Sequence, residues 1–246
     1  FRRKGHGMNQ KFRFNRVLLK ISGEALKGAQ DHGYDAEAVR KVVRQVKKIM
    51  DQGVEVALVV GAGNIWRGVM GRSGGMDRVN ADYMGMLATV MNALCLRDFF
   101  TAAGIPAVVQ SAIKMEPIAS GINRDAAVKA LESGQLVIFA GGTGSPFFTT
   151  DTTAVLRALE TDCDAVLKAT KVDGVYTADP VKDPSAQRFA ELSFDEALAR
   201  QLKVMDSTAF SMCRDNDLPI IVFNFGEEGS FERILAGDTS AGTIVS

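Results

Sequence analysis

The residues of this chain best suited to chemistry fall in three short loops. Lys20-Ile21-Ser22-Gly23, Gly61-Ala62-Gly63-Asn64 and Gly141-Gly142-Thr143-Gly144 each follow an apolar run of strand length. A glycine-rich turn after a strand lets backbone N–H groups approach a phosphate, and the helix that follows adds partial positive charge at its N-terminus. Lys20, Arg67 and Lys168 lie in or near these turns. Three such turns with nearby cations point to a site for several phosphates, where a single turn would be weak evidence. The third loop continues through Ser145-Pro146-Phe147-Phe148-Thr149-Thr150 to Asp151, after which Val155, Leu156 and Leu159 fall at helical spacing. Asp151 stands where an N-cap belongs. It also stands where a carboxylate could meet Mg²⁺ or orient a lysine.

Several other chemistries are poorly served. There is no G-x-x-x-x-G-K-[ST] run, and no G-x-G-x-x-G follows the first strand, so Walker-type and dinucleotide sites are unsupported. The two histidines, His6 and His32, fall in the N-terminal segment and in a loop, which disfavours histidine acid–base or triad chemistry. The three cysteines, Cys95, Cys163 and Cys213, form no CxxC pair, which argues against a disulfide framework or zinc site and for a reducing cytoplasm. Zero net charge argues against nucleic acid as the main partner. No apolar run reaches membrane-spanning length. Phosphoryl transfer driven by cations and positioning remains, and it needs no strong protein base.

The elements that must position these residues alternate between strand and helix. Residues 17–21, 54–60, 107–110, 136–140, 164–169 and 219–224 read as strands, and 243–245 as a last edge strand. Asp35 caps a helix with Val39, Val42, Val43, Val46 and Met50 on one face. A long helix is expected over 82–103, with Met84, Leu87, Met91 and Leu94 on a stripe that serves either the core or a subunit contact. A turn is expected over 71–75. Ser193 and Glu196 form a capping box, and Asp206 could cap the helix after it. The alternation argues for a mostly parallel sheet covered by helices on both faces. Residues 1–11 read as a disordered leader, with Met8 a candidate native start, and 12–246 as one domain. In a parallel sheet the three loops gather at one edge, where open α/β folds bind ligands.

The ordered set of these motifs resembles the bacterial uridylate kinases of the amino acid kinase superfamily. The resemblance is carried by residues 17–24, 59–68, 76–90, 140–152 and 166–180, and by Lys203-Val204-Met205-Asp206, and it runs from about residue 14 to 244. It implies an αβα sandwich that transfers the γ-phosphoryl of ATP to UMP with Mg²⁺ in pyrimidine nucleotide synthesis. It also implies a homohexamer activated by GTP and inhibited by UTP. Carried over by match, Lys20, Ile21, Ser22, Gly23, Gly63 and Arg67 would meet ATP phosphates or the transferred group. Thr170, Tyr176 and Asp179 would hold the adenosine end. Ala62 and Asp82 would lie at the UMP phosphate and ribose, and Thr143, Gly144, Ser145, Pro146, Phe147, Phe148, Thr149 and Thr150 would wrap the uridine. Lys20, Arg67, Asp151 and Lys168 would form the catalytic set, with Mg²⁺ carried by nucleotide phosphates and no metal held by protein alone. Gly28, Ala29, Gln30, Asp31, His32 and Gly33 match the segment tied to GTP activation. Two positions depart from the pattern: Ala62 stands where relatives commonly have glycine, and Ser145 where they commonly have asparagine.

Each residue also has a plainer reading. Lys20 could be a snorkelling lysine, Arg67 a surface ion pair, Asp179 a turn former before Pro180, and Asp82 a helix cap. Glu24 and Asp206 are divided between structural and catalytic-support roles. Two other functions compete: a kinase of the same superfamily acting on a carboxylate or carbamate, and a nucleotide-binding storage or regulatory protein. The uridine-shaped segment 143–150 argues against the first. The second predicts loss of the charged residues, and Lys20, Arg67, Asp151 and Lys168 are all present.

Overall fold

The apolar runs become strands of one sheet. The computed structural model describes residues 12–67 and 75–246. The leader expected over 1–11, and the turn expected over 71–75 apart from Gly75, lie outside these residues. The strands are β1 (Arg16–Ile21), β2 (Glu55–Val60), β3 (Ala107–Ser111), β4 (Ser120–Gly121), β5 (Leu136–Ala140), β6 (Ala165–Thr170), β7 (Glu191–Leu192), β8 (Ile220–Asn224) and β9 (Gly242–Val245). The helices are α1 (Ala36–Met50), α2 (Arg78–Ala102), α3 (Arg124–Glu132), α4 (Thr150–Glu160), α5 (Phe194–Ala199), α6 (Ser207–Asp215) and α7 (Ser230–Leu235).

The strand order is β4-β3-β5-β2-β1-β6-β8-β9-β7. Every ladder is parallel except that between β8 and β9. Strands covered on both faces cannot alternate apolar with polar, and so β5 and residues 56–60 of β2 read as unbroken apolar runs. The two faces have separate cores. Val17, Leu19, Ile21, Leu58 and Val60 pack with Val42 and Val46 of α1, Val90 and Leu96 of α2 and Ile234 of α7. Leu18, Val59, Phe139 and Val166 pack with Leu131 of α3, Val155 of α4 and Phe210 of α6. The result is a three-layer αβα sandwich.

Three expectations change. β9 is not an edge: it lies between β8 and the two-residue β7, antiparallel to β8. Residues 191–192 are too short to show a strand period. The long helix begins earlier, at Arg78, where Asp77 accepts a hydrogen bond from Asn80 N at 3.2 Å as its cap. Asp82 therefore lies within the helix and is not its cap. On α2, Met84, Leu87 and Met91 are 39%, 44% and 53% exposed, so they do not belong to the core of the chain, while Leu94 packs partly against it. Asp35, Ser193 and Asp206 act as caps, accepting from Ala38, Glu196 and Ala209 N–H, while the Glu196 carboxylate of the expected capping box pairs with Arg200.

Candidate active site

Strand parity decides which side chains meet. On β1, Lys20 shares the face of Leu18, and on β6, Lys168 shares the face of Val166, because successive side chains alternate. Both therefore point toward the layer that holds α4. They are also register partners across the β1–β6 ladder. Two ammonium groups side by side repel, and Asp151 in the first turn of α4 answers both. Lys168 Nζ donates to Asp151 Oδ2 and to the Val204 carbonyl, each at 2.8 Å. Lys20 Nζ lies 2.9 Å from Asp151 Oδ1, an ion-pair contact without the alignment of a hydrogen bond. The three side chains are only 13–20% exposed. Burial pushes the Asp151 carboxyl up. The charges of Lys20 and Lys168, with the Lys168 hydrogen bond, outweigh burial and hold its pKa below the ordinary carboxylate value.

Asp151 is thus not the N-cap of α4. That role belongs to Thr149, whose hydroxyl accepts from Asp151 N at 3.0 Å and Thr152 N at 3.3 Å. A cap must have extended backbone angles, which Thr149 has. Asp151 lies two residues further on and is free to face the strands. Asp206 fixes this corner from outside, accepting from the Thr149 and Thr152 hydroxyls while capping α6.

Two cavities flank the cluster. One of about 510 Å³ is lined by Lys168, Thr170, Tyr176, Asp179 and Lys203. Another of about 170 Å³ is lined by Ala62, Asp82, Phe148, Thr149 and Thr150. Lys168 lines the first cavity, and Thr150, which lines the second, is the chain neighbour of Asp151. A further cavity of about 360 Å³ under α1 is walled mainly by apolar side chains, with neither Asp151 nor Lys168 in its lining. Ser22 and Thr170, both assigned to ATP, and Lys41 and Lys171 also line it.

The three loops meet as expected at the C-terminal strand edge. Gly23 packs so closely on the second loop that a Cβ there would lie 2.4 Å from the Gly61 carbonyl oxygen and 2.8 Å from Gly63 N. Gly141 has φ +74°, and a Cβ would meet Ser111 Oγ at 2.9 Å, so both positions require glycine. Ser22 caps the short turn of residues 23–26. Arg67 is half exposed and pairs with Glu24 at 2.6 Å, while Lys171 approaches the other Glu24 oxygen at 3.3 Å. Glu24 thus holds two exposed cations beside the loops.

The remaining assigned residues divide. Thr143, Gly144, Ser145, Pro146 and Phe147 form the third loop but do not line the smaller cavity. Asp82 ties this loop to α2 by accepting from Phe147 N at 2.8 Å, and Arg78 covers the Phe147 ring at 4.7 Å. Tyr176 donates to Asp173, and Asp179 turns its own loop by accepting from Val181 N. Residues 28–33 lie outside both cavities. Their end is latched to the second loop, where Gly33 N donates to the Asn64 carbonyl at 2.8 Å. Sequence reasoning missed Lys171, Asn92 and Thr89 as participants and named Asn64 only as part of the second loop. For Thr89 and Asn92 a signal existed: they are polar residues on the same helix face as Val90, Ala93 and Leu96, which pack inward.

No three His, Cys, Asp or Glu side chains among the described residues come together as a metal cage. Both Asp151 oxygens face ammonium groups. The donor set fits a magnesium carried by phosphate oxygens better than one bound by carboxylates alone.

A doubly covered parallel sheet with cationic glycine loops at one edge defines the class. Residues 15–224 match the Amino acid kinase family, and the chain belongs to that family. Among solved structures it is similar to UMP kinase from Bacillus anthracis, at 38% identity and TM-score 0.92, covering 95% of this chain and 96% of that one. UMP kinase from Ureaplasma parvum is similar at 38% identity and TM-score 0.90, covering 95% and 99%. Uridylate kinase from Archaeoglobus fulgidus follows at 26% identity and TM-score 0.72, covering 94% and 99%. No helix among the described residues is long and apolar enough to cross a membrane.

Proposed function

We propose that this kinase transfers the γ-phosphoryl of ATP to UMP, giving UDP. The observation that carries the reading is the Lys20–Asp151–Lys168 cluster, with Lys168 in the wall of one cavity and Thr150, the neighbour of Asp151, in the wall of another. The larger cavity, with Thr170, Tyr176 and Asp179, would take the adenosine end of ATP. The smaller, with Ala62, Asp82 and the 148–150 segment, would take UMP, with the rest of 143–150 closing over the uridine. An in-line transfer then passes across Lys20 and Lys168. Charge builds on the equatorial oxygens of the moving phosphoryl, and two preset ammonium groups meet it at no cost in reorganisation. Asp151 keeps those groups in place. Backbone N–H groups of Ser22, Gly23 and Gly63 would orient the donor phosphates, and Arg67 would leave Glu24 to join them. When bound through the nucleotide phosphates, Mg²⁺ supplies further neutralisation of the β- and γ-oxygens.

The same reading makes the chain a homohexamer of the cytoplasm, acting in pyrimidine nucleotide synthesis, with GTP as activator and UTP as inhibitor. The exposed apolar stripe of α2 supports a subunit contact. The latch between Gly33 and Asn64 offers residues 28–33 a route to the phosphate loops. A coupled assay with ATP, Mg²⁺ and a panel of nucleoside monophosphates tests the reaction. UMP should be the preferred acceptor, and failure to turn over any nucleoside monophosphate would overturn the assignment. GTP activation is checked by calorimetry, because ATP or UMP must alter GTP affinity by the factor that GTP alters theirs.

A further inference from the structure

Helix α2 carries two buried polar side chains one turn apart, and each ends on a different glycine loop. Asn92 Nδ2 donates to the Gly61 carbonyl and to Asn64 Oδ1, both at 2.7 Å. Asn64 Nδ2 donates to Asn92 Oδ1 and to the Gly33 carbonyl, both at 3.0 Å. Asn92 is fully buried and Asn64 is 1% exposed. The two carboxamides form a closed reciprocal pair. Their two outward N–H groups are spent on the carbonyls of two separate loops. Flipping either amide would set N–H against N–H and oxygen against oxygen, so the pair has one satisfied arrangement.

The oxygens that Asn92 holds form the surface on which the first loop rests. A Cβ at Gly23 would lie 2.4 Å from the Gly61 oxygen and 2.5 Å from Asn64 Oδ1. Asn92 therefore sets the height of the 61–64 loop and, through it, the seat of residues 22–24. One turn earlier, Thr89 Oγ1 accepts from Gly141 N at 2.9 Å and donates to the Met86 carbonyl at 2.6 Å. Gly141 N is thereby held at the start of the third loop.

We infer that Asn92, with Asn64, and Thr89 are positioning residues that hold the second and third glycine loops in register from a single helix. Their effect on catalysis rests on the proposed reaction. Their effect on the loops does not. A side chain that shifts a phosphate-binding backbone by even an ångström acts on rate rather than on fold.

The test is a series of variants of the full chain, read by amide hydrogen exchange and by kinetics. Asn92→Asp places a carboxylate oxygen against the Gly61 carbonyl, and Asn92→Leu serves as an uncharged second variant. Either should accelerate exchange in residues 61–64 and leave Gly141 protected. Thr89→Val should do the reverse, releasing Gly141 N–H, and Thr89→Ser should restore wild-type exchange. With ATP and UMP, the Asn92 variants should lose about tenfold or more in kcat. Thr89→Val should instead raise the UMP KM, and Thr89→Ser should recover it. Unchanged exchange in both loops, or uniform acceleration across the sheet, would overturn the inference. So would a kcat loss matched by the loss of nucleotide-binding protein. Wild-type enzyme inactive on every nucleoside monophosphate, with the exchange split intact, would sink the proposed reaction and leave the positioning role standing.

Discussion

Lys20 and Lys168 sit opposite each other on adjacent parallel strands, and a single carboxylate from α4 faces both. Neither lysine belongs to the hydrophobic core, yet both are mostly covered. The arrangement stores two positive charges next to each other beside the cavity that Lys168 lines. An incoming phosphoryl group is the natural third partner for such a cluster.

Lys20→Ala should leave a folded protein, because Asp151 keeps Lys168 as a partner. Turnover should fall by about 10²-fold or more, the usual cost of losing a cation aimed at developing charge. Leu19→Ala, one residue away but fully buried, should show the opposite pattern, with a stability loss of about 2–5 kcal/mol and less effect on kcat per folded molecule. Circular dichroism melting alongside the coupled assay separates the two. Near-normal turnover in folded Lys20→Ala would remove the lysine from the chemistry.

Thr149 and Asp151 can be told apart. Thr149→Ala removes the cap and should cost about 1 kcal/mol of stability. Asp151→Asn leaves the cap in place but strips the anion from two covered ammonium groups, so turnover should fall far more than in Thr149→Ala. The pH dependence has a fixed sign. The Asp151 pKa is lowered in the folded chain, so its stabilising contribution is present above the ordinary value of 3.8 and is lost as pH falls through the folded value. Urea titrations of wild type and Asp151→Asn should therefore differ by a constant amount near neutrality and converge only in acid below that value. Convergence already at about pH 6 would contradict a depressed carboxyl.

The exposed stripe of α2 predicts an assembly. Light scattering should give the mass of a hexamer, and Leu87→Glu should lower it while leaving the far-ultraviolet spectrum intact. A charge at a buried apolar contact is strongly unfavourable, whereas on a free surface it changes little. A wild-type monomer at micromolar concentration would return the stripe to open solvent.

Uracil should be preferred over cytosine by about 10² or more in kcat/KM, because a site built to pair one base edge leaves its own polar groups unpaired with the other. Uracil offers an acceptor at position 4 and a donor at position 3, and cytosine reverses both. The hydroxyls of Thr143, Ser145, Thr149 and Thr150 can rotate to suit either base, so selectivity depends on backbone groups of the 143–150 loop. Comparing UMP and CMP at one ATP concentration decides the matter. A ratio within about tenfold of unity would show that this loop does not read the base edge.

Much of this was legible without coordinates. Unbroken apolar runs such as 136–140 can only be strands covered on both faces, and turns rich in glycine after three of them locate the ligand edge. The motif set from Lys20 to Asp206 pointed to the family. Pairing was not legible. That Lys20 stands opposite Lys168, across 148 positions of chain, follows from strand order and register, which local spacing does not encode. Asp151 looked like a cap because its neighbours in sequence are those of a helix start. The fold gave capping to Thr149 and turned Asp151 toward two charges from distant strands. Thr89 and Asn92 appeared only as polar interruptions of an apolar face, and folding brought them against the carbonyl of one loop and the amide of another. Local sequence determines which segments are strands, helices and glycine turns, because those depend on neighbours a few residues apart. Which charges meet, and which amides bridge, is decided by long-range packing.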